Sequence, residues 1–343
     1  MSPLNFFKVT GVAVYVLRIQ YRMADDLFRL YYRYIYSDID FVYYEACNPN
    51  LPNHQIGRTL EAFAQSNLPG LKQYDDGKLR PIFIHCPGSR TIKAKGGGSK
   101  FNPDQNRVAL KFLLKFVLKN KINPNRIKLI TPYRANRDVL EQVRRKDAEL
   151  VHIAGMEPAA TVDSFQGREG DVVFAVMAMT ENSGPGFMTN ENRLNVLLSR
   201  QKSGLIIVGD INIIGKVFGG AGDDKGKGKG KAKGKGKGMM DADKCKVKAG
   251  GTVSFVKSAF LAKVCQDMAT SGRVVVAPAE WQAKEKKAHD GEKVEEKAEE
   301  EAEEEKKPEG KKKPEGKKKK PKGKKPEEKK PGDKKPEDKK ADQ

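Results

Sequence analysis

The chain has 343 residues, with 66 Lys and Arg against 45 Asp and Glu for a formal net charge of +21, and 38% of it is hydrophobic. That is enough for one large or two ordinary domains, and the cysteines, Cys47, Cys86, Cys245 and Cys265, form no C-x-x-C pair, so neither a zinc ribbon nor a disulfide framework is indicated. Residues 283–343 carry +4 of the charge and residues 222–238 carry +5, leaving +12 on the remainder; a basic folded surface suits a polyanion through counterion release, and fits a plainly soluble basic protein equally well.

The opening run MSPLNFFKVTGVAVYVL is apolar but too short to span a bilayer, and Lys8 interrupts it. It also lacks a basic n-region and a cleavage site. The expectation is an intracellular protein, nuclear or cytoplasmic, with thiols in a reducing compartment and no membrane partner. QYRM follows at residues 20–23. The aromatic run LFRLYYRYIYSDIDFVYY, residues 27–44, reads either as core packing or as a base-stacking platform interleaved with Arg29 and Arg33.

Short β-branched runs bounded by turn residues predict strands at 81–85 (PIFIH), 128–131 (KLIT), 171–178 (DVVFAVMA) and 204–209 (GLIIVG). Helical spacing predicts helices over 104–119, 134–145 and 190–201. Such alternation implies an α/β fold, a parallel sheet with helices on both faces. Gly at every second position of DDKGKGKGKAKGKGKG maximises chain entropy, so residues 222–238 are expected to form a flexible basic insertion. Behind it, 252–268 suits one more helix and 273–277 one more strand. The expected organisation is a domain over 1–221, the insertion at 222–238, a final helix and strand of the same domain within 239–282, and a disordered Lys/Glu/Pro-rich tail over 283–343.

Polar clusters stand beside the predicted strands: QYRM, ITPYRAN at 130–136, TVDSFQGREGDVV at 161–173 and NRLNVLLSRQKSGLIIVGD at 192–210. In open α/β sheets ligands bind outside the carboxyl ends of the strands, so these clusters are expected there. Each residue alone also fits a duller role: Arg22 paired to Asp25 or Asp26, Asp163 capping a turn, Glu169 paired to Arg168 at the surface, Arg193 and Arg200 sharing one helix face. His54, His85, His152 and His289 are too scattered to suggest metal ligands.

Taken in order, the clusters resemble the C-terminal half of a superfamily 1 RNA/DNA helicase motor, of the nonsense-decay and senataxin-like group, over about residues 17–210. The resemblance implies a RecA-like sheet of the P-loop NTPase class. It also implies that Arg22 and Arg200 approach the γ-phosphate of ATP, where a planar guanidinium holds two phosphate oxygens at once. Gln20, Tyr21, Gly167 and Glu169 would then lie on the nucleotide side, Tyr21 near the adenine and Glu169 at the ribose hydroxyl. Thr131, Tyr133, Thr161, Ser164 and Gln166 would lie toward single-stranded RNA or DNA. For the aromatic run it favours core packing.

The family's P-loop, G-x-x-x-x-G-K-S/T, does not occur in the sequence, and GGGSK at 96–100 has the wrong spacing. No apolar strand ends in an Asp-Glu pair to hold magnesium. ATP and Mg are therefore expected only with a P-loop-bearing, N-terminal RecA-like domain. The alternatives are a catalytically inactive nucleic-acid-binding module and a folded but defective product. Asn192 replaces an Arg frequent in relatives, and Gln201 replaces an Ala, read as a surface-type change.

Overall fold

Strands β3 (Ile82–His85), β6 (Ile127–Thr131), β8 (Gly170–Val176) and β9 (Gln201–Gly209) are almost wholly buried, and each carries an unbroken apolar run of two to five residues. Continuous rather than alternating hydrophobicity is what a strand covered on both faces requires. The computed structural model, which describes residues 6, 7, 9–218, 244–249 and 252–282, joins them with β7 (Ala160–Thr161) and β12 (Val274–Val276) in one sheet of order β12-β3-β9-β8-β6-β7. Every pairing in it is parallel. The expected α/β, RecA-like layering is therefore present.

Side chains leave β8 alternately to two cores. Val173 and Ala175 meet α1 (Arg29–Ile35), α6 (Glu191–Leu198) and α7 (Ala259–Thr270). Val172, Phe174 and Val176 face α2 (Gln55–Asn67), α3 (Pro103–Asn120), α4 (Arg134–Lys146), α5 (Val151–Ala154) and Trp281 of α8 (Ala279–Gln282). Each large apolar side chain so buried contributes roughly 1.5–3 kcal/mol. The ends of α3 are set locally. Pro103 stands in its first turn, the Asn102 side chain accepts from the Gln105 N–H, and Lys121 closes the helix in the left-handed region at φ 51°.

Much of the aromatic run packs against the core, although Tyr44 stays 49% exposed. Phe28 stacks on Tyr32, with ring centroids 5.4 Å apart, and meets Phe41 edge-on at 5.0 Å, against the α1 side of the core. Two sequence expectations are corrected. Residues 252–257 are not helical: they form β11 (Thr252–Lys257), paired antiparallel with β10 (Lys244–Ala249), and α7 begins only at Ala259. Ser254 and Lys257 among β-branched and aromatic neighbours fit period two as well as a helical stripe, and the pairing decides. The helix expected over 190–201 stops at Leu198, because Gln201 already pairs with Gly170 as the first residue of β9. The insertion at 222–238 and the tail at 283–343 lie outside the described residues.

Candidate active site

Gln20 ends the short strand β1 (Ile19–Gln20), which pairs in parallel with β2 (Val42–Tyr43). The chain then turns, because the Gln20 side-chain oxygen accepts from the Arg22 and Met23 N–H groups at 2.8 and 3.4 Å. Met23 and Ala24 are buried, and the Ala24 N–H donates to the Lys202 carbonyl at 2.8 Å, which fastens the turn beside β9. Tyr21 stays 59% exposed, its ring 4.8 Å from that of Tyr44. Arg22 is thereby aimed at Glu169, Nε to Oε2 2.9 Å, and donates from Nη1 to the Ser199 carbonyl at 3.1 Å.

Arg200, the next residue in the chain, bonds to Ser199 as well, donating from Nη2 and Nε to its Oγ at 2.6 and 3.2 Å. Ser199 is the last residue of the α6 turn, where freed carbonyls favour cations. Lys202 closes the group with Nζ 2.8 Å from Glu169 Oε1. Lys202 above all, and then Arg22, holds the Glu169 carboxyl below its ordinary range. Two cations, Arg22 and Lys202, thus hold one carboxylate, with Arg200 beside them on Ser199. Arg22, Glu169 and Lys202 are each 34–40% exposed at the side chain. Ion pairs at that exposure are worth about 1 kcal/mol or less, so a polyanion could replace Glu169 as their partner at small cost.

The loop between β7 and β8 connects this group to the opposite edge of the sheet. At one end the Val162 N–H donates to the Thr131 carbonyl at 3.1 Å, at the carboxyl end of β6; at the other the Gly170 N–H donates to the Arg200 carbonyl at 3.0 Å, at the amino ends of β8 and β9. Between them Thr161 and Ser164 exchange hydrogen bonds of 3.0–3.2 Å, Phe165 is buried, Gln166 is exposed, and Gly167 takes φ 82°. A side chain at Gly167 would be strained in that conformation. Arg193 grips the loop through Asp163, Nε to Oδ1 3.0 Å and Nη2 to Oδ2 3.2 Å.

Thr131 and Tyr133 are buried. Thr131 Oγ1 accepts from Asn136 Nδ2 at 2.9 Å, and the Tyr133 hydroxyl accepts from the Phe187 N–H at 3.2 Å while its ring stacks on Phe187 at 5.0 Å. Their side chains position the carboxyl edge and present little surface of their own.

A family model described as an AAA domain matches residues 4–212. The chain belongs to that family. It is a C-terminal, second RecA-like domain of the superfamily 1 RNA/DNA helicases, nonsense-decay group. Among its relatives are Regulator of nonsense transcripts 1 of Dictyostelium discoideum, 33% identical over 39% of this chain and 10% of that protein, and its Drosophila melanogaster homolog, 35% identical over 40% and 12%. ATP-dependent helicase upf1 of Schizosaccharomyces pombe is 28% identical over 40% of this chain and 15% of that protein. The chain thus matches only a small part of each relative's length.

For a second RecA-like domain the arrangement corrects four readings. The Arg22, Glu169 and Arg200 group sits at the amino ends of β8 and β9, and not outside carboxyl ends, because Glu169 and Arg200 each stand just ahead of a strand and the turn after β1 brings Arg22 to them; only Thr131, Tyr133 and the Thr161 end of the loop lie at the carboxyl edge. Arg22 pairs with Glu169, while Asp25 and Asp26 take Lys78, Arg29 and Arg80. Arg193 and Arg200 do not share a helix face, since the helix ends between them. Gln201 is fully buried, donating from Nε2 to the Leu198 carbonyl at 2.8 Å with its Oε1 unpartnered, so it is no surface change. Sequence reasoning passed over Lys202, although it follows the motif arginine by two residues and so emerges beside it along a strand.

Proposed function

We propose that this helicase domain supplies the arginine-bearing wall of an ATP site completed by a P-loop domain. In this reading Arg22 and Arg200 are the residues that contact the γ-phosphate. Gln20 shapes the turn that presents Tyr21 to the base, Gly167 lets the loop approach, and Glu169 turns from the two cations to a ribose hydroxyl. What carries the reading is the convergence of Arg22 and Arg200 on Ser199, to which Arg22 comes from 177 residues away. The partly exposed excess of cations fits a polyphosphate, and bound ATP with Mg would supply the phosphoryl group to be transferred. The domain's own part is to orient that group and neutralise charge on it.

The loop from Thr161 through Ser164 and Gln166 to Glu169 links this wall to the carboxyl edge, where single-stranded RNA or DNA would lie. Its two backbone tethers, to Thr131 and to Arg200, support that coupling. The test is a fusion of this chain to the P-loop domain of a superfamily 1 helicase. Nucleic-acid-stimulated ATPase should fall by about 10³ or more in Arg22→Ala or Arg200→Ala, the scale of an arginine finger. The chain alone should hydrolyse ATP no faster than its own Arg200→Ala variant. Arg200-dependent turnover without the added domain would contradict the division of labour, and a fully active Arg200→Ala fusion would remove the arginine assignment.

A further inference from the structure

The carboxyl edge also carries a basic hairpin between β3 and α3. Strands β4 (Ile92–Lys93) and β5 (Lys100–Phe101) form an antiparallel hairpin in which Lys93 stands directly opposite Lys100. Like charges facing each other across a strand pair oppose hairpin formation. Burial lowers the Lys100 pKa, and Lys93 lowers it further. Arg90, Lys93 and Arg134 are exposed, and among the described residues their side chains meet no carboxylate. The tip, Gly96 to Gly98, is open: a Cβ on Gly98 would meet nothing within 4 Å.

The hairpin is nonetheless firmly placed. Thr91 Oγ1 donates to the Ala178 carbonyl at 3.0 Å, just beyond β8, and Lys100 Nζ to the Ser183 carbonyl at 3.3 Å. Ser99 Oγ accepts from the Ala135 N–H at 2.9 Å at the start of α4. The Asn102 N–H donates to Asn136 Oδ1 at 3.0 Å, and Asn136 Nδ2 donates to Thr131 Oγ1 at 2.9 Å. Thr131 is the residue whose carbonyl holds the β7–β8 loop. A like-charge pair thus crowns a rigid mount that is hydrogen-bonded into the coupling loop.

We infer that the β4–β5 hairpin, through Lys93 and Lys100 with Arg90 and Arg134 beside it, clasps the phosphate backbone of a single-stranded nucleic acid. This rests on the proposed function. A phosphodiester chain relieves the repulsion between the facing lysines, and counterion release drives the contact without selecting a base sequence. The glycine tip leaves room for the strand to pass close to backbone.

The experiment uses the full chain and a fluorescein-labelled single-stranded oligouridylate, followed by anisotropy over a salt series. Lys93→Gln/Arg134→Gln should weaken binding and make the plot of log K against log salt shallower by roughly 1.4, about 0.7 per lost phosphate contact on a single strand. The control removes two exposed lysines of α3, Lys115→Gln/Lys119→Gln, and should leave the slope within error of the parent. Lys93→Glu separates binding from folding. It turns the cross-strand pair into an attractive one, so the melting temperature should hold or rise while affinity falls. Equal slopes for the hairpin and control variants would overturn the hairpin and leave the ATP-wall reading standing. A parent chain that fails to bind at low salt would overturn both the hairpin and the nucleic-acid track. Polyglutamate binding as tight as the oligouridylate, and lost in the hairpin variant, would assign the hairpin to an acidic protein instead.

Discussion

Ser199 offers its carbonyl to Arg22 and its hydroxyl to Arg200, and so brings together two guanidinium groups that would repel one another in isolation. Glu169 offsets part of that repulsion. Its carboxyl ionises more readily in the folded chain than in the unfolded one, so its contribution is complete above the ordinary glutamate range near pH ~4.3 and is lost as pH falls through the lower folded value. At its exposure the effect is small. Glu169→Gln should cost about 1 kcal/mol or less in urea unfolding at pH 7, and the difference between variant and parent should shrink as the pH falls below the ordinary glutamate range. A gap that persists in acid would show that packing and not charge holds this residue. At the carboxyl edge, Tyr133→Phe removes the acceptor for the Phe187 N–H, which is partly buried, and should cost about 1 kcal/mol or less by the same measurement.

Element placement depends on how closely helices approach the sheet. At Gly57 of α2 a Cβ would collide with the Ser203 carbonyl of β9 and come within 2.5 Å of Leu79 Cδ1. The helix can therefore rest on the strand backbone, which seats His54, just ahead of α2, against Ser203 with Nδ1 2.8 Å from Oγ. Gly57→Ala should lower stability by roughly 1–3 kcal/mol through overpacking despite its better helix propensity, read as a drop in melting temperature. An unchanged or higher melting temperature would mean that α2 can slide away from β9. On the other face α6 ends where β9 must begin, and that stop orients Ser199 and Arg200; the helical periodicity of the sequence overran it.

Across the molecule, β12 is tied in by a buried cation. Arg273, 1% exposed, donates to both Glu61 carboxylate oxygens at 2.7 and 2.6 Å and to the carbonyls of Lys72, Pro81 and Arg80, just ahead of the β12 pairing with β3. Removing it strands a partly buried carboxylate and several carbonyls. Arg273→Ala should cost about 3–5 kcal/mol and release β12 first in hydrogen exchange. Uniform loss of protection over the whole sheet would argue against a locally held strand.

The β-branched runs, the helical stripe of α3 and the motif order were readable along the chain, because period and local chemistry need no distant partner. They determined an α/β sheet covered on both faces and its helicase kinship. The sequence alone put every motif at the carboxyl edge of the sheet, and for Glu169 and Arg200 that was wrong. Pairing register placed Glu169 and Arg200 at the amino ends and Thr131 at the carboxyl end. Gln201 looked like a surface residue until β9 entered the middle of the sheet and buried it. The meeting of Arg22 with Ser199, the facing of Lys93 and Lys100, and the capture of Glu61 by Arg273 were likewise decided by tertiary structure, since side-chain neighbours far apart in the chain are fixed only when strands pair and helices dock.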